Sequence, residues 1–378
     1  MSTSPNTAVF EIFVVTAPGL EPALLAEARE NGFKGPVAIK GGVTIQGGWP
    51  EVWRANLELR GASRVLARIA QFRAMHLAQL DKRAHKVAWG EVLRADVPFR
   101  VEASCKASRI YHAGAAAQRI ARAIADTIGA KESDEAEVAI KARIDDDLCT
   151  ISIDTSGESL HKRGHKEAVA KAPMRENMAA LFLRLCGYDG SESVVDPMCG
   201  AGTFVIEAAE LAAGLQPGRS RSFAFEQLAT FDAAAWQGMR KSGGVRRPSI
   251  RFFGSDQDPG AVRMSRTNAA RAGVEAFTEF HQRTIDELSP PAGFSGLVIV
   301  NPPYGTRIGD RRGVQALYRQ LGETLRRRFA GWRVGLVTND ATLAKATGLP
   351  LEAATGPVSH GGLRVTLYRT AGPLTAVE

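Results

Sequence analysis

The sequence predicts a doubly wound α/β sheet, mostly parallel with its last strand antiparallel, behind a smaller N-terminal α+β module. Three observations predict it. From residue 173 onward, apolar strand-like runs alternate with helix-like stretches. One run, 193–196, passes through Pro197-Met198-Cys199-Gly200-Ala201-Gly202 into a small-residue helix over 203–213. That is the strand-turn-helix opening of a Rossmann-like sheet, where a ligand is expected at the carboxyl end of the strand. A later run, 297–301, is almost wholly apolar, as a strand covered on both faces should be.

The chain has 378 residues, enough for two or three domains. Hydrophobic residues make up 44% and charged residues 23%, which is the balance of a soluble globular protein. No window approaches a membrane-spanning run. The first seven residues carry neither a basic n-region nor a signal-type apolar block, so a cytoplasmic location is expected. Cys105, Cys149, Cys186 and Cys199 are scattered without a C-x-x-C pair, so neither a disulfide frame nor a metal site is expected. The net charge of +8 suggests a polyanion as partner, with a solvated basic surface as the ordinary alternative.

Residues 8–15 read as a strand, 21–31 as a helix with Pro22 in its first turn and Gly32 as C-cap. A short hairpin over 37–39 and 42–46 and a helix over 49–57 complete an α+β lobe, 1–57. Residues 58–155 form a second module. Arg60, Arg64, Arg68 and Arg73 come thickly at its start. A strand over 99–104, an alanine-rich helix over 113–128, and a hairpin turning at Asp145-Asp146-Asp147 follow. Lys106, Arg109, Tyr111 and His112 interleave basic and stacking side chains, as RNA binding would use. A solvated basic face with one core tyrosine explains the same residues. Residues 156–172, with His161, Lys162 and Arg163, are polar and basic and read as a connector.

Pro173 opens a helix over 174–186, and the alternating region runs to the end of the chain, 173–378. Residues 214–248 read as an insertion in it, with a helix near 232–241. Further strands are expected over 250–256, 277–282, 297–301 and 334–337, and helices over 260–272 and 316–329. The stretch 362–369 reads as an antiparallel edge strand.

Three strand ends carry chemistry. Asp196 ends the first strand before a Gly-x-Gly turn that lacks the third glycine of a dinucleotide fingerprint. A carboxylate there repels a pyrophosphate and suits a cationic, amino-bearing ligand, so S-adenosylmethionine fits better than NAD. Asp256 ends the second strand, where one carboxylate can accept both hydroxyls of a ribose. Asp258 is its rival, although Asp258 before Pro259 also suits a helix N-cap. Asn301-Pro302-Pro303-Tyr304-Gly305 follows the fourth strand. The exocyclic amine of a base is a poor nucleophile because its lone pair is delocalised. The Asn301 oxygen and the Pro302 carbonyl can accept both N–H bonds and free that lone pair. The two prolines preset the acceptors and Tyr304 can stack on the base.

With Gly254-Ser-Asp-Gln-Asp-Pro259, Leu160-His-Lys-Arg-Gly164, Ala172-Pro-Met-Arg-Glu-Asn-Met-Ala179 and the Phe223-Ala-Phe-Glu226 and Trp236 of the insertion, these motifs resemble a known family. It is the THUMP-domain class I S-adenosylmethionine-dependent RNA guanine-N2 methyltransferases, in particular the bacterial 23S rRNA (RlmL-type) branch. The resemblance covers nearly the whole chain, most strongly 158–310. It implies a ferredoxin-like lobe over 1–57, a THUMP RNA-binding domain over 58–155 and a methyltransferase domain over 173–378. It also implies that Asp196, Gly200 and Gly202 line the methionine end of the cofactor, with Met198, Cys199, Thr203 and Gln257 also cofactor-binding. Asp256 would hold the ribose, and Asn301, beside the cofactor, would hold the amine with Pro302, Pro303 and Tyr304. The family commonly has an acid near adenine N6 where this chain has Thr284, so Thr284 or the nearby Asp286 makes that contact. Some members carry a second methyltransferase domain, and no second activity is implied here.

The expected activity is methyl transfer to the exocyclic N2 of a guanine, in 23S rRNA, that is single-stranded or flipped out. A tRNA substrate is the alternative. Asn-Pro-Pro-Tyr also serves adenine N6 and glutamine side chains, which leaves a DNA adenine or protein glutamine enzyme as rivals. A non-catalytic RNA-binding or ribosome-assembly factor on the same scaffold is the reading from a different class. The intact Asp196, Asp256 and Asn301 set argues against it.

Overall fold

The computed structural model describes residues 9–164, 174–304 and 311–376. Residues 1–8, the connector from 165 onward with Pro173, and Gly305 lie outside the described residues. In chain order the first elements are β1 (Phe10–Val15), α1 (Glu21–Glu30), β2 (Lys34–Ile39), β3 (Gly42–Gly47), α2 (Trp49–Glu58), β4 (Arg64–Arg73), α3 (Leu77–Ala84), β5 (Phe99–Lys106), α4 (Ala113–Ile128), β6 (Val138–Asp145) and β7 (Leu148–Asp154). They continue with α5 (Glu176–Leu185), β8 (Ser193–Asp196), α6 (Thr203–Ala212), α7 (Ala233–Lys241), β9 (Phe252–Asp256), α8 (Pro259–Ala272), β10 (Thr278–Gln282), β11 (Gly296–Val300), α9 (Arg311–Arg328), β12 (Arg333–Thr338), α10 (Ala341–Ala346), β13 (Leu351–Ala353), β14 (Val358–His360) and β15 (Leu363–Thr370).

Two compact units divide the chain. The first holds the residues up to Thr16, Leu24–Leu160 and Arg221–Ser242; the second holds Ala17–Ala23, His161–Ser220 and Gly243–Glu378.

A seven-stranded sheet in the order β2-β3-β1-β4-β7-β6-β5 forms the first unit. Strand β4 pairs antiparallel with β1 on one side and β7 on the other, so the sheet runs without a break from the N-terminal lobe into the second module. The arginines of β4 that thickened the charge count serve the fold: Arg64 pairs with buried Asp154 at 2.5 Å and Arg68 with Glu11. Helix α4 joins the parallel strands β5 and β6. His112 caps its start, accepting the Ala115 N–H at 3.0 Å, and Gly129 ends it at φ +74°. The β6–β7 hairpin turns on Asp146 and Asp147 at φ +51° and +60°, a conformation that aspartate tolerates.

The expected insertion is a correction. Sequence order puts 214–248 in the alternating region, but Arg221–Ser242 folds with the first unit. Its Phe223 and Phe225 rings stack at 5.1 Å, and Trp236 packs edge-on to Phe225 at 5.0 Å. Trp53 of α2 lies 6.1 Å from Phe225, and the Phe225 N–H donates to the Thr155 carbonyl at 3.1 Å. The aromatic side chains are buried against a neighbour that is remote in sequence, which local pattern does not reveal.

The second unit is an eight-stranded sheet in the order β10-β9-β8-β11-β12-β15-β13, with β14 paired to β15. Strands β10 to β12 are parallel and β15 runs antiparallel to β12. All five residues of β11 are buried. The expectation of an edge strand near 362–369 is corrected, because β13 pairs with the other side of β15. The short β13, β14, α10 and α3 gave too few residues for a periodic signal. Behind β11 and β12, Val298, Val300, Tyr318, Leu325, Phe329 and Trp332 form one buried cluster.

Candidate active site

Parallel pairing sets the three strand ends side by side. Val298 of β11 pairs with Val195 of β8, and Gly254 of β9 pairs with Asp196. Asn301 and Asp256 therefore lie beyond Asp196 on its two neighbouring strands, at the carboxyl edge of the sheet.

Asp196 is 2% exposed, and one of its oxygens accepts the Met198 N–H at 3.1 Å. Burial pushes its carboxyl up to about 8, opposed by the Met198 N–H and reinforced by the nearby Asp256 charge. The loop then turns on Gly200 and Gly202, at φ +53° and +82°. A Cβ on Gly202 would press on Ser265 and Ile206 at 3.1–3.2 Å, whereas one on Gly200 would meet nothing within 4 Å. The loop is thus tight against α8 at Gly202 and open at Gly200. Gly254 on β9 has no room for a side chain either, since a Cβ would stand 2.5 Å from the Phe280 ring and 3.1 Å from the Cys199 sulfur.

Asp256 braces this loop. One of its oxygens accepts the Gly200 N–H at 3.0 Å and the other the Asp258 N–H at 3.0 Å. A carboxylate has about four acceptor positions, so each oxygen keeps capacity for a hydroxyl. Asp258 is the N-cap of α8, accepting the Gly260 N–H at 2.8 Å, with Pro259 in the first turn. Gln257 is exposed and its carbonyl accepts from the Gln282 side chain at 3.3 Å. Met198 is half-buried; Cys199 and Thr203 are buried.

Gln282 ends β10 beside Asp256. Two residues on, the Thr284 hydroxyl donates to Glu287 at 3.0 Å. Its one proton is committed there, which leaves its lone pairs to accept. The Asp286 carboxylate accepts from Gln320 of α9 at 3.4 Å, so it is directed toward that helix.

Asn301 is half-buried, and its side-chain oxygen is buried with no hydrogen-bond partner among the described residues. Pro302 is buried, Pro303 exposed, and half-buried Tyr304 packs against the cluster behind β11.

In the first unit, Lys106, Arg109, Tyr111 and His112 are brought together between β5 and α4. All four are exposed, Tyr111 at 85%. The Arg109 N–H donates to Asp147 at 2.7 Å, and Nδ1 of His112 serves the α4 cap. Within the second unit, His161 is half-buried and Lys162 exposed. Arg163 is a correction: its side chain is 1% exposed and ion-paired with Glu207, itself 1% exposed, at 2.9 Å. An enclosed guanidinium cannot grip a phosphate.

Pattern reading passed over Ser265 and Asn268 of α8. Their side chains donate to the Gly200 and Ala201 carbonyls at 2.8 Å and 3.1 Å. The signal available was two polar residues one turn apart on the buried face of a helix.

Among the described residues no His, Cys, Asp or Glu cluster could hold a metal, and no helix is long and apolar enough to cross a membrane. The site suits a ligand that carries cationic and hydrogen-bond-donating groups: it offers a buried carboxylate, a glycine turn open at one position and an acceptor oxygen without a partner among the described residues.

The comparisons agree with this frame. The family described as "RMKL-like, methyltransferase domain" matches residues 163–366, "RlmL ferredoxin-like domain" 11–66 and "THUMP domain" 74–154. The "Ribosomal RNA large subunit methyltransferase K/L" of Syntrophotalea carbinolica is 35% identical over 359 residues, covering 89% of this chain and 50% of that protein. The chain spans about half the length of the K/L relatives it matches. A possible methylase from Clostridium difficile 630 superposes with a TM-score of 0.87 at 28% identity, over 98% of this chain and 100% of that one. SMU.472, a putative methyltransferase solved with SAH, gives 0.84 at 28% identity, over 98% and 99%. The chain belongs to the RMKL-like methyltransferase family, with RlmL-type ferredoxin-like and THUMP domains ahead of its methyltransferase domain.

Proposed function

We propose that the chain is an S-adenosylmethionine-dependent RNA methyltransferase acting on the exocyclic N2 of a guanine, in 23S rRNA. When bound, the cofactor supplies an electrophilic methyl group. The observation that carries the reading is the buried Asn301 oxygen, without a partner among the described residues, beside the Asp196–Gly202 loop. A buried acceptor left empty costs about 1–3 kcal/mol, so it is kept for a ligand. Asn301 accepts one N–H of the amine and the Pro302 carbonyl the other, which holds the lone pair free for attack. Tyr304 stacks on the base. Asp196, Met198, Cys199, Gly200, Gly202 and Thr203 take the methionine end, Asp256 and Gln257 the ribose, and Thr284 the adenine amine, since the Asp286 carboxylate is directed toward α9.

The large-subunit rRNA names of the K/L relatives and the THUMP match support an RNA, and a ribosomal one. Lys106, Arg109, Tyr111 and His112 of the first unit grip it, and RNA contact is also assigned to His161 and Lys162 of the second unit. We assign RNA binding to the module over 58–155 and catalysis to the second unit.

Mass spectrometry of modified nucleosides from a deletion strain tests this. Loss of N2-methylguanosine from 23S rRNA is expected. Loss from tRNA alone would move the substrate, and no loss in either pool would remove the reading.

A further inference from the structure

Every N–H of the loop from Met198 to Gly202 has a protein acceptor among the described residues, with one exception. Met198 donates to Asp196, Cys199 to the Ser255 carbonyl, Gly200 to Asp256 and Gly202 to the Cys199 carbonyl. The N–H of Ala201 donates to none of them. Ala201 is 3% exposed, and a buried amide without an acceptor is rare and costly. It marks a place for a ligand acceptor.

The direction of that N–H is fixed from behind. Ser265 and Asn268 lie one turn apart on α8 and are both fully buried. The Ser265 hydroxyl donates to the Gly200 carbonyl at 2.8 Å, and the Asn268 amide to the Ala201 carbonyl at 3.1 Å. In a planar trans peptide the carbonyl and the following N–H point in opposite directions. Holding the Gly200 carbonyl toward α8 therefore turns the Ala201 N–H away from α8. The preceding peptide, Cys199–Gly200, is held by Asp256 through the Gly200 N–H. Without the Ser265 hydroxyl, the Gly200–Ala201 peptide loses its hold from α8, while the strands on either side keep their pairing.

We propose that Ser265 and Asn268 are positioning residues that preset the Ala201 N–H as donor to the carboxylate at the amino-acid end of the cofactor. This rests on the S-adenosylmethionine reading above. The ligand group must be an acceptor, and the amino-acid carboxylate is the strong one it offers at this loop. Asp196 on the same loop then faces the cationic part, so opposite charges of one zwitterion meet opposite partners.

The test uses two ligands that share the adenosine and thioether. S-adenosylhomocysteine carries the amino-acid end; 5′-methylthioadenosine lacks it. Titration calorimetry on the full-length wild type, Ser265→Ala and Asn268→Ala measures both. Ser265→Ala removes a single oxygen, so the fold is retained, and thermal unfolding checks that. The expected result is that Ser265→Ala weakens S-adenosylhomocysteine roughly three- to tenfold, the loss of one well-aligned hydrogen bond, and leaves methylthioadenosine within twofold. Asn268→Ala should shift the pair in the same sense. Equal weakening of both ligands would make the two residues merely structural and overturn the proposal, as would no weakening of either. A wild-type protein that binds neither ligand would instead remove the cofactor reading.

Discussion

Arg163 and Glu207 make a two-point ion pair in the interior of the second unit, Nε to Oε1 at 2.9 Å and Nη2 to Oε2 at 3.4 Å. Glu210 and Glu176, also buried, add their fields to the guanidinium. Glu207 lies in α6, the helix that follows the glycine turn. The pair fastens the last described residues before 165 to the helix that follows the glycine turn. The arginine therefore belongs to the fold, although it sits in a basic run.

Removing one partner of such a pair strands a buried charge. Arg163→Met should cost about 3–5 kcal/mol of stability, read by denaturant unfolding. RNA affinity of the folded fraction should stay within twofold. If stability held and RNA affinity collapsed instead, the guanidinium would have to be accessible to RNA.

Asn301→Ala removes the acceptor without touching the loop at Asp196. Turnover should fall by at least about 100-fold, the usual scale for one preorganised hydrogen-bonding group in an active site. Cofactor affinity should stay within twofold, checked by calorimetry. Unchanged turnover would transfer the amine to another acceptor.

The fold of the second unit was largely legible because three of its strands end at a residue with its own chemistry. Asp196, Asp256 and Asn301 are placed by strand order alone, and parallel pairing makes them neighbours. Asp258 was legible as a cap because Pro259 follows it. Three things were not legible. Arg163 reads as surface charge until Glu207, 44 residues on, is seen beside it. The aromatic 221–242 segment pairs with Trp53, far back in the chain. Ser265 and Asn268 act on backbone carbonyls, which leave no residue-type signature.

That segment also dictates how RNA binding should be tested. Deleting the first 155 residues would strip Trp53 from Phe225 and Phe231 and expose an aromatic cluster. Point changes are cleaner. Tyr111→Ala should weaken RNA binding by about 1–3 kcal/mol, the range for one stacked base. Arg109→Ala should flatten the salt dependence by close to one ion equivalent. Filter binding across a salt series reads both. Neither change should alter thermal stability, because both side chains are exposed.

Asp256→Ala removes a brace as well as the proposed ribose acceptor, since the Gly200 N–H loses its partner. A cofactor loss of about 1.5–3 kcal/mol is expected from the charge-assisted hydrogen bonds. The conservative Asp256→Asn keeps one acceptor oxygen and should recover part of it. A loss confined to thermal stability, with cofactor affinity intact, would leave Asp256 as a brace alone.

Asp196 should make cofactor binding depend on pH. Its carboxyl is pushed up to about 8 in the free protein by burial, so near neutrality it holds a proton. A cationic ligand favours the carboxylate, and binding below about pH 8 must release that proton. Affinity should therefore rise with pH, by up to about tenfold per unit between 6 and 8, and flatten above. Stability of the unliganded protein runs the other way. A carboxyl whose pKa is raised on folding stabilises the fold at low pH, and that contribution is lost as the pH rises from about 4 through about 8. Calorimetry at pH 7 in two buffers of different ionisation heat should show proton release with wild type and none with Asp196→Asn. Equal heats in both buffers for the wild type would mean that Asp196 is already ionised and that the loop offers the cofactor a standing charge.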